Sequence, residues 1–106
     1  MDKEQKVINI LHFARKAGRM EIGFNAVERA CYAGKALLII AAEDISKSSR
    51  RKLDYLIKET GIQCVELGHK ALFGESFNIR DVGILCVDDR NFVKGILRVL
   101  TEAEEL

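Results

Sequence analysis

Asn25 and Arg29, four residues apart behind Gly23, are the side chains whose types and spacing first point to chemistry. In the run Glu21-Ile22-Gly23-Phe24-Asn25-Ala26-Val27-Glu28-Arg29, the apolar spacing of Val27, Ala30, Cys31 and the stop at Gly34 predict a helix over residues 24 to 33. Gly23 and Asn25 then stand at its start. A helix start carries N–H groups without intrahelical partners, which attract phosphate or base acceptors. An Asn amide offers both a donor and an acceptor to a base edge, and Arg29, one turn on, can neutralise phosphate or reach a guanine. Gly23 lets a nucleic-acid backbone approach with no Cβ in the way. The plainer reading of the same spacing makes Gly23 a turn and Asn25 a helix cap.

The other chemistry-bearing residues form no recognisable constellation. Cys31, Cys64 and Cys86 are far apart and lie in apolar runs, so they read as buried, unpaired small hydrophobes with disfavoured thiolates. His12 and His69 cannot hold zinc without distant ligands. The acid pairs Glu43-Asp44 and Asp88-Asp89 each follow a strand, where they could bind magnesium or share a proton, but acids just before helices are more simply caps. Neither G-x-G-x-x-G nor G-x-x-x-x-G-K-S/T occurs, and no Ser, Cys or Lys has a His at a catalytic spacing. The reading is a protein with no catalytic residues, no metal and no cofactor.

Elements that position Asn25 and Arg29 follow from periodicity. Val7, Ile10, Leu11 and Ala14 mark a helix over 3 to 17 closed by Gly18, and Met20 to Ile22 is a short extended piece. Ala36 to Ala42, apolar on both faces, is a strand covered by helices on both sides. Ser46 caps a third helix with Leu53, Leu56 and Ile57 inward, ended by Gly61. Ile62 to Leu67 reads as a strand, His69 to Phe73 as a short helix, Gly83 to Val87 as a buried strand, and Asp89 as the cap of a last helix through Phe92, Ile96, Val99 and Leu100. Gly95 inside that helix should cost about 1 kcal/mol relative to Ala. Alternating strands and helices predict an α/β fold, a three-layer αβα sandwich on a small mixed sheet of about four strands.

With 106 residues, 48% of them hydrophobic, the chain has material for one core, and one domain over 1–106 is expected. The formal charge of +1 hides an asymmetry: residues 1–60 carry twelve Lys and Arg against eight Asp and Glu, and residues 61–106 carry five against eight. The basic residues cluster as Arg15, Lys16 and Arg19 and as Lys47, Arg50, Arg51 and Lys52, and Glu102, Glu104 and Glu105 make an acidic tail. Two basic clusters in one half of a small domain point to an anionic partner. No apolar run reaches the length of a membrane span and no leader is visible, so a cytoplasmic protein without a membrane partner is expected.

The order of elements, the Gly23-Phe24-Asn25 helix start, Gly34-Lys35-Ala36 before the strand Leu38 to Ala42, Glu43-Asp44 after it, and Lys70-Ala71-Leu72-Phe73-Gly74 resemble the ribosomal protein L7Ae/L30e superfamily of kink-turn RNA-binding proteins. Ala14-Arg15-Lys16-Ala17-Gly18 makes it more similar to the bacterial branch. The resemblance implies a helix start that docks on the tandem sheared G·A pairs of a kink-turn, and a loop before the last strand that packs against a flipped-out base. The family's Gly-x-Asn-Glu motif falls on Gly23, Phe24, Asn25 and Ala26, its basic residue on Arg29, its later lysine on Lys70, and the base-packing loop on Asn78, Ile79, Arg80 and Asp81. Ala26 replaces the acid that accepts from a guanine amino group, Phe24 replaces a small hydroxyl residue, and Asn78 stands where glycine is frequent, a place Asn tolerates at positive φ. Phe24 is open to base stacking or to packing. The implied partners are structured RNA, ribosomal or another kink-turn RNA, and ribosomal proteins, with no DNA; Arg15, Lys16, Arg29 and Arg80 are expected on one face with the helix start. The alternative is a protein-interaction domain that keeps the fold without specific RNA binding.

Overall fold

The computed structural model describes residues 2–105, with side chains through 102. The elements are α1 (Lys3–Lys16), β1 (Met20–Ile22), α2 (Phe24–Tyr32), β2 (Leu38–Ala41), α3 (Lys47–Thr60), β3 (Gln63–Glu66), α4 (Lys70–Phe77), β4 (Ile84–Val87) and α5 (Arg90–Glu105). Polar side chains start most of the helices. Asp2 accepts from the Gln5 N–H at 2.8 Å, Ser46 Oγ from Ser49 at 3.1 Å, His69 Nδ1 from Leu72 at 3.0 Å and Asp89 from Phe92 at 3.0 Å. Asp89 is thus the cap its position implied. Asp44 caps a different helix, its Oδ1 accepting the Lys70 N–H of α4 at 2.9 Å.

The sheet is mixed, in the order β1-β4-β2-β3, with β4 antiparallel to both neighbours and β2 parallel to β3. Alternation along the two central strands feeds two cores. Leu38, Ile40, Leu85 and Val87 pack with Val7 and Leu11 of α1, Phe73 and Phe77 of α4 and Ile96 of α5. Ile39, Ala41, Ile84 and Cys86 pack with Val27 and Cys31 of α2 and Leu53 and Leu56 of α3. All of β2 and β4 is buried, the two-sided covering predicted for the row Ala36 to Ala42, although Leu37 lies ahead of β2 and is exposed.

Two expectations are corrected. The short helix does not stop at Phe73 but runs to Phe77, with Asn78 as its left-handed C-cap at φ 55°. Gly74 is the reason: it reads as a stop, whereas it is where Asp81 crosses the helix, and a Cβ there would lie 2.9 Å from the Asp81 Cα. Cys64, expected buried, is only half-buried because β3 is the sheet edge. All three thiols are free, and burial pushes Cys64 up to about 11 and Cys86 up to about 12. The acidic tail continues α5 as helix: Glu102 is exposed, while the side chains of Glu104 and Glu105 lie outside the described residues.

Candidate nucleic-acid interface

The start of α2 is built by a strand end. β1 runs beside β4, and when its pairing reaches Ile22 opposite Leu85, the Gly23 N–H donates to the Ile84 carbonyl at 2.8 Å. The chain then turns at Gly23 with φ 93° and ψ 151°, a conformation open essentially to glycine alone, and enters α2. No side chain caps this helix among the described residues, and Val27 is the first N–H to bond back, to the Gly23 carbonyl at 3.0 Å. The N–H groups of Phe24, Asn25 and Ala26 therefore have no intrahelical acceptor. Asn25 is exposed and is not the cap; Gly23 takes that place. Arg29, also exposed, follows Asn25 by four residues and shares its side of the helix.

Around this helix start the sheet brings up the chain from two other places. The Ala42 N–H donates to the Gly83 carbonyl at 2.7 Å, and Asp44 holds the start of α4, so Lys70 and the chain entering β4 reach the same end of the sheet. Phe24, Ile45, Ser46, Lys70, Val82 and Gly83 line one hollow there, of about 220 Å³. Gly83 is a close approach, since a Cβ on it would meet the Ile45 methyl at 2.5 Å and the Lys70 stem at 3.4 Å. The result is a shallow basin with backbone donors on one wall, a lysine on another and apolar surface between. Such a basin has the chemistry to hold an anionic or base-edge acceptor against an apolar floor.

Of the residues singled out in the sequence, Phe24 and Lys70 line the hollow, and Gly23 and Asn25 adjoin it as the chain neighbours of Phe24. Phe24 packs against the core under α2 and α3, and Lys52 Nζ stands 6.0 Å from its ring centroid. The loop residues separate. Asp81, Val82 and Gly83 line the hollow, whereas Asn78 caps α4 and Ile79 packs half-buried against the core under α1 and α5. Arg80 is exposed between them.

Contrary to the expectation from the sequence, Arg15 and Lys16 do not join the start of α2. The last turn of α1 leads into β1 where Met20 pairs with Val87, the opposite end of the sheet from the Gly23 to Ile84 contact, and α1 covers the opposite face. Arg15 is committed there, its Nη1 donating to the Phe77 carbonyl at 2.7 Å and its guanidinium 5.7 Å from the Phe77 ring centroid. The basic cluster that does lie beside Asn25 is the one on α3. Ser48, Arg51, Lys52 and Tyr55 face Phe24, Asn25 and Glu28 across a groove. Arg51 and Lys52 were visible as a charge run, but only the packing of α2 on α3 places them next to the helix start.

Residues 5–96 match the model of the ribosomal protein L7Ae/L30e/S12e/Gadd45 family. No curated protein sequence matches the chain. Among solved structures, a protein of unknown function from Bacillus halodurans superposes with a TM-score of 0.81 over 91% of this chain and 97% of its own, at 20% identity. The Giardia lamblia 15.5 kD RNA-binding protein superposes with a TM-score of 0.73 over 97% of this chain and 88% of its own, at 17% identity. Among the described residues no helix is long and apolar enough to cross a membrane.

Proposed function

The chain belongs to the ribosomal protein L7Ae/L30e/S12e/Gadd45 family, and from that premise we propose that it binds a kink-turn-type structured RNA in the cytoplasm, in association with the ribosome. The family is one of RNA-binding proteins rather than of enzymes, in line with a sequence that offers no catalytic constellation. One observation carries the RNA reading. The uncapped N–H groups of Phe24, Asn25 and Ala26 and the exposed Asn25 amide open beside Lys70 and the Asp81 to Gly83 segment at one end of the sheet.

In this reading the Asn25 amide reads a base edge and the α2 N–H groups take acceptors from the sheared pairs. Lys70 and Arg29 meet phosphates, as point charge and fork respectively. Val82, rather than Ile79, is the apolar residue of the loop that meets an unstacked base: both pack against the core, and Val82 also lines the hollow. Ala26 removes one acceptor for a guanine amino group, so the start of α2 relies on Asn25 and backbone donors.

The test is a fluorescence-anisotropy titration of a blunt-ended kink-turn RNA against the same RNA with its tandem G·A pairs changed to Watson–Crick pairs. The kink-turn RNA is expected to bind at least about tenfold tighter, or about 1.4 kcal/mol. Equal affinities, or no binding of either, overturn the proposal, and the second outcome leaves the basin to a protein partner.

A further inference from the structure

We infer that the groove between α2 and α3 binds a single-stranded RNA segment next to the folded RNA, with Tyr55 as the base-stacking platform and Arg51 as its phosphate contact. The inference extends the proposed RNA reading, because Phe24 lines both the groove and the basin, and Asn25 beside it lines the groove.

The groove holds an open volume of about 540 Å³. Its α3 wall is Ser48, Arg51, Lys52 and Tyr55, spaced i, i+3, i+4 and i+7 and so carried on one side of the helix. Tyr55 is 62% exposed on a helix held to the core by Leu53 and Leu56, and on α2 the positions 24, 28 and 32 bring the 56% exposed Tyr32 along the same side. Exposed tyrosines beside cations are what unpaired bases use, since every base has a face to stack and a phosphate every few ångströms along its strand. Arg51 is also at liberty. Arg50 beside it is paired with Glu66 at 2.8 Å, while Arg51 is exposed and enters no ion pair among the described residues.

One carboxylate, Glu28, lies on the α2 wall and repels phosphate. It sets the polarity across the groove: the strand backbone runs along α3, over Arg51, and the bases turn inward over Tyr55. A protein partner would also value Tyr and Arg, but continuity with the basin and a basic α3 wall favour a strand leaving the same RNA.

The experiment uses the intact chain and four labelled RNAs: the blunt kink-turn RNA, the same RNA with an unpaired tail of about eight uridines at its 5′ end, the same RNA with that tail at its 3′ end, and the free octauridine. A tail on one end is expected to tighten binding at least fivefold. Tyr55→Ala and Arg51→Ala should each abolish most of that gain, Tyr55→Phe should keep it, and all three should bind the blunt RNA as the parent chain does. The inference is overturned if neither tail helps, or if the gain survives both alanine substitutions. Failure of the blunt RNA to bind overturns the kink-turn reading alone; the groove is then decided by octauridine, whose binding must be lost in Tyr55→Ala.

Discussion

Asn25 and Arg29 share one side of α2 and make different demands on an RNA. In the proposed reading the amide of Asn25 discriminates between base edges, so Asn25→Ala should weaken kink-turn binding by about 1–3 kcal/mol and leave an unstructured RNA of equal length nearly unaffected. Arg29→Ala should weaken both RNAs alike and reduce the salt slope by about one, as the loss of a single phosphate contact does. Titrations of both variants at two salt concentrations separate the roles, and equal losses for both RNAs in Asn25→Ala would mean nonspecific contact only. The helix start was legible in the residues because Gly23 and Asn25 are unusual choices at that spacing. The misplacement of Arg15 has a physical cause: nearness in sequence to β1 says nothing about which end of β1 a residue occupies, and three residues of strand carry the chain from one end of the sheet to the other. Cys64 was misjudged for a related reason, since an apolar residue on an edge strand keeps one flank open.

At the scale of elements, two glycines inside helices behave oppositely. Gly74 of α4 lies under the Asp81 backbone, with a built Cβ 2.9 Å from its Cα, so Gly74→Ala must displace the segment that forms one wall of the basin. It should destabilise the fold by about 1–2 kcal/mol and weaken RNA binding with it. Gly95 of α5 faces only the flexible end of Ile10, at 3.4 Å, so Gly95→Ala should gain about 0.5–1 kcal/mol from lower unfolded-chain entropy. Thermal denaturation of the two variants, which should shift the midpoint in opposite directions, checks both. Helix caps were readable at Ser46 and Asp89 because one side chain and one N–H suffice to make them. The reach of α4 was not, because its Gly74 is chosen by a residue seven positions later that no local pattern reveals.

For the whole molecule, the αβα layering follows from one row of residues, Leu38 to Ala41, that no exposed strand could carry. Strand order is a different matter. The insertion of β4 between β1 and β2 depends on contacts over more than forty residues, and the three-residue β1 has no apolar alternation long enough to announce its partner. That long-range pairing is also what assembles the basin, by bringing Gly23 to Ile84 and Gly83 to Ala42 at one end of the sheet. The central claim is therefore about position: RNA meets the end of the sheet where α2 begins. The most direct test is an amide nitrogen–proton correlation titration of the isotope-labelled chain with the blunt kink-turn RNA, read residue by residue. The account predicts shifts concentrated at Gly23 to Ala26, Lys70 and Asp81 to Ile84, with Arg15 to Arg19 unmoved. Shifts at Arg15 to Arg19 with a silent α2 start would contradict it.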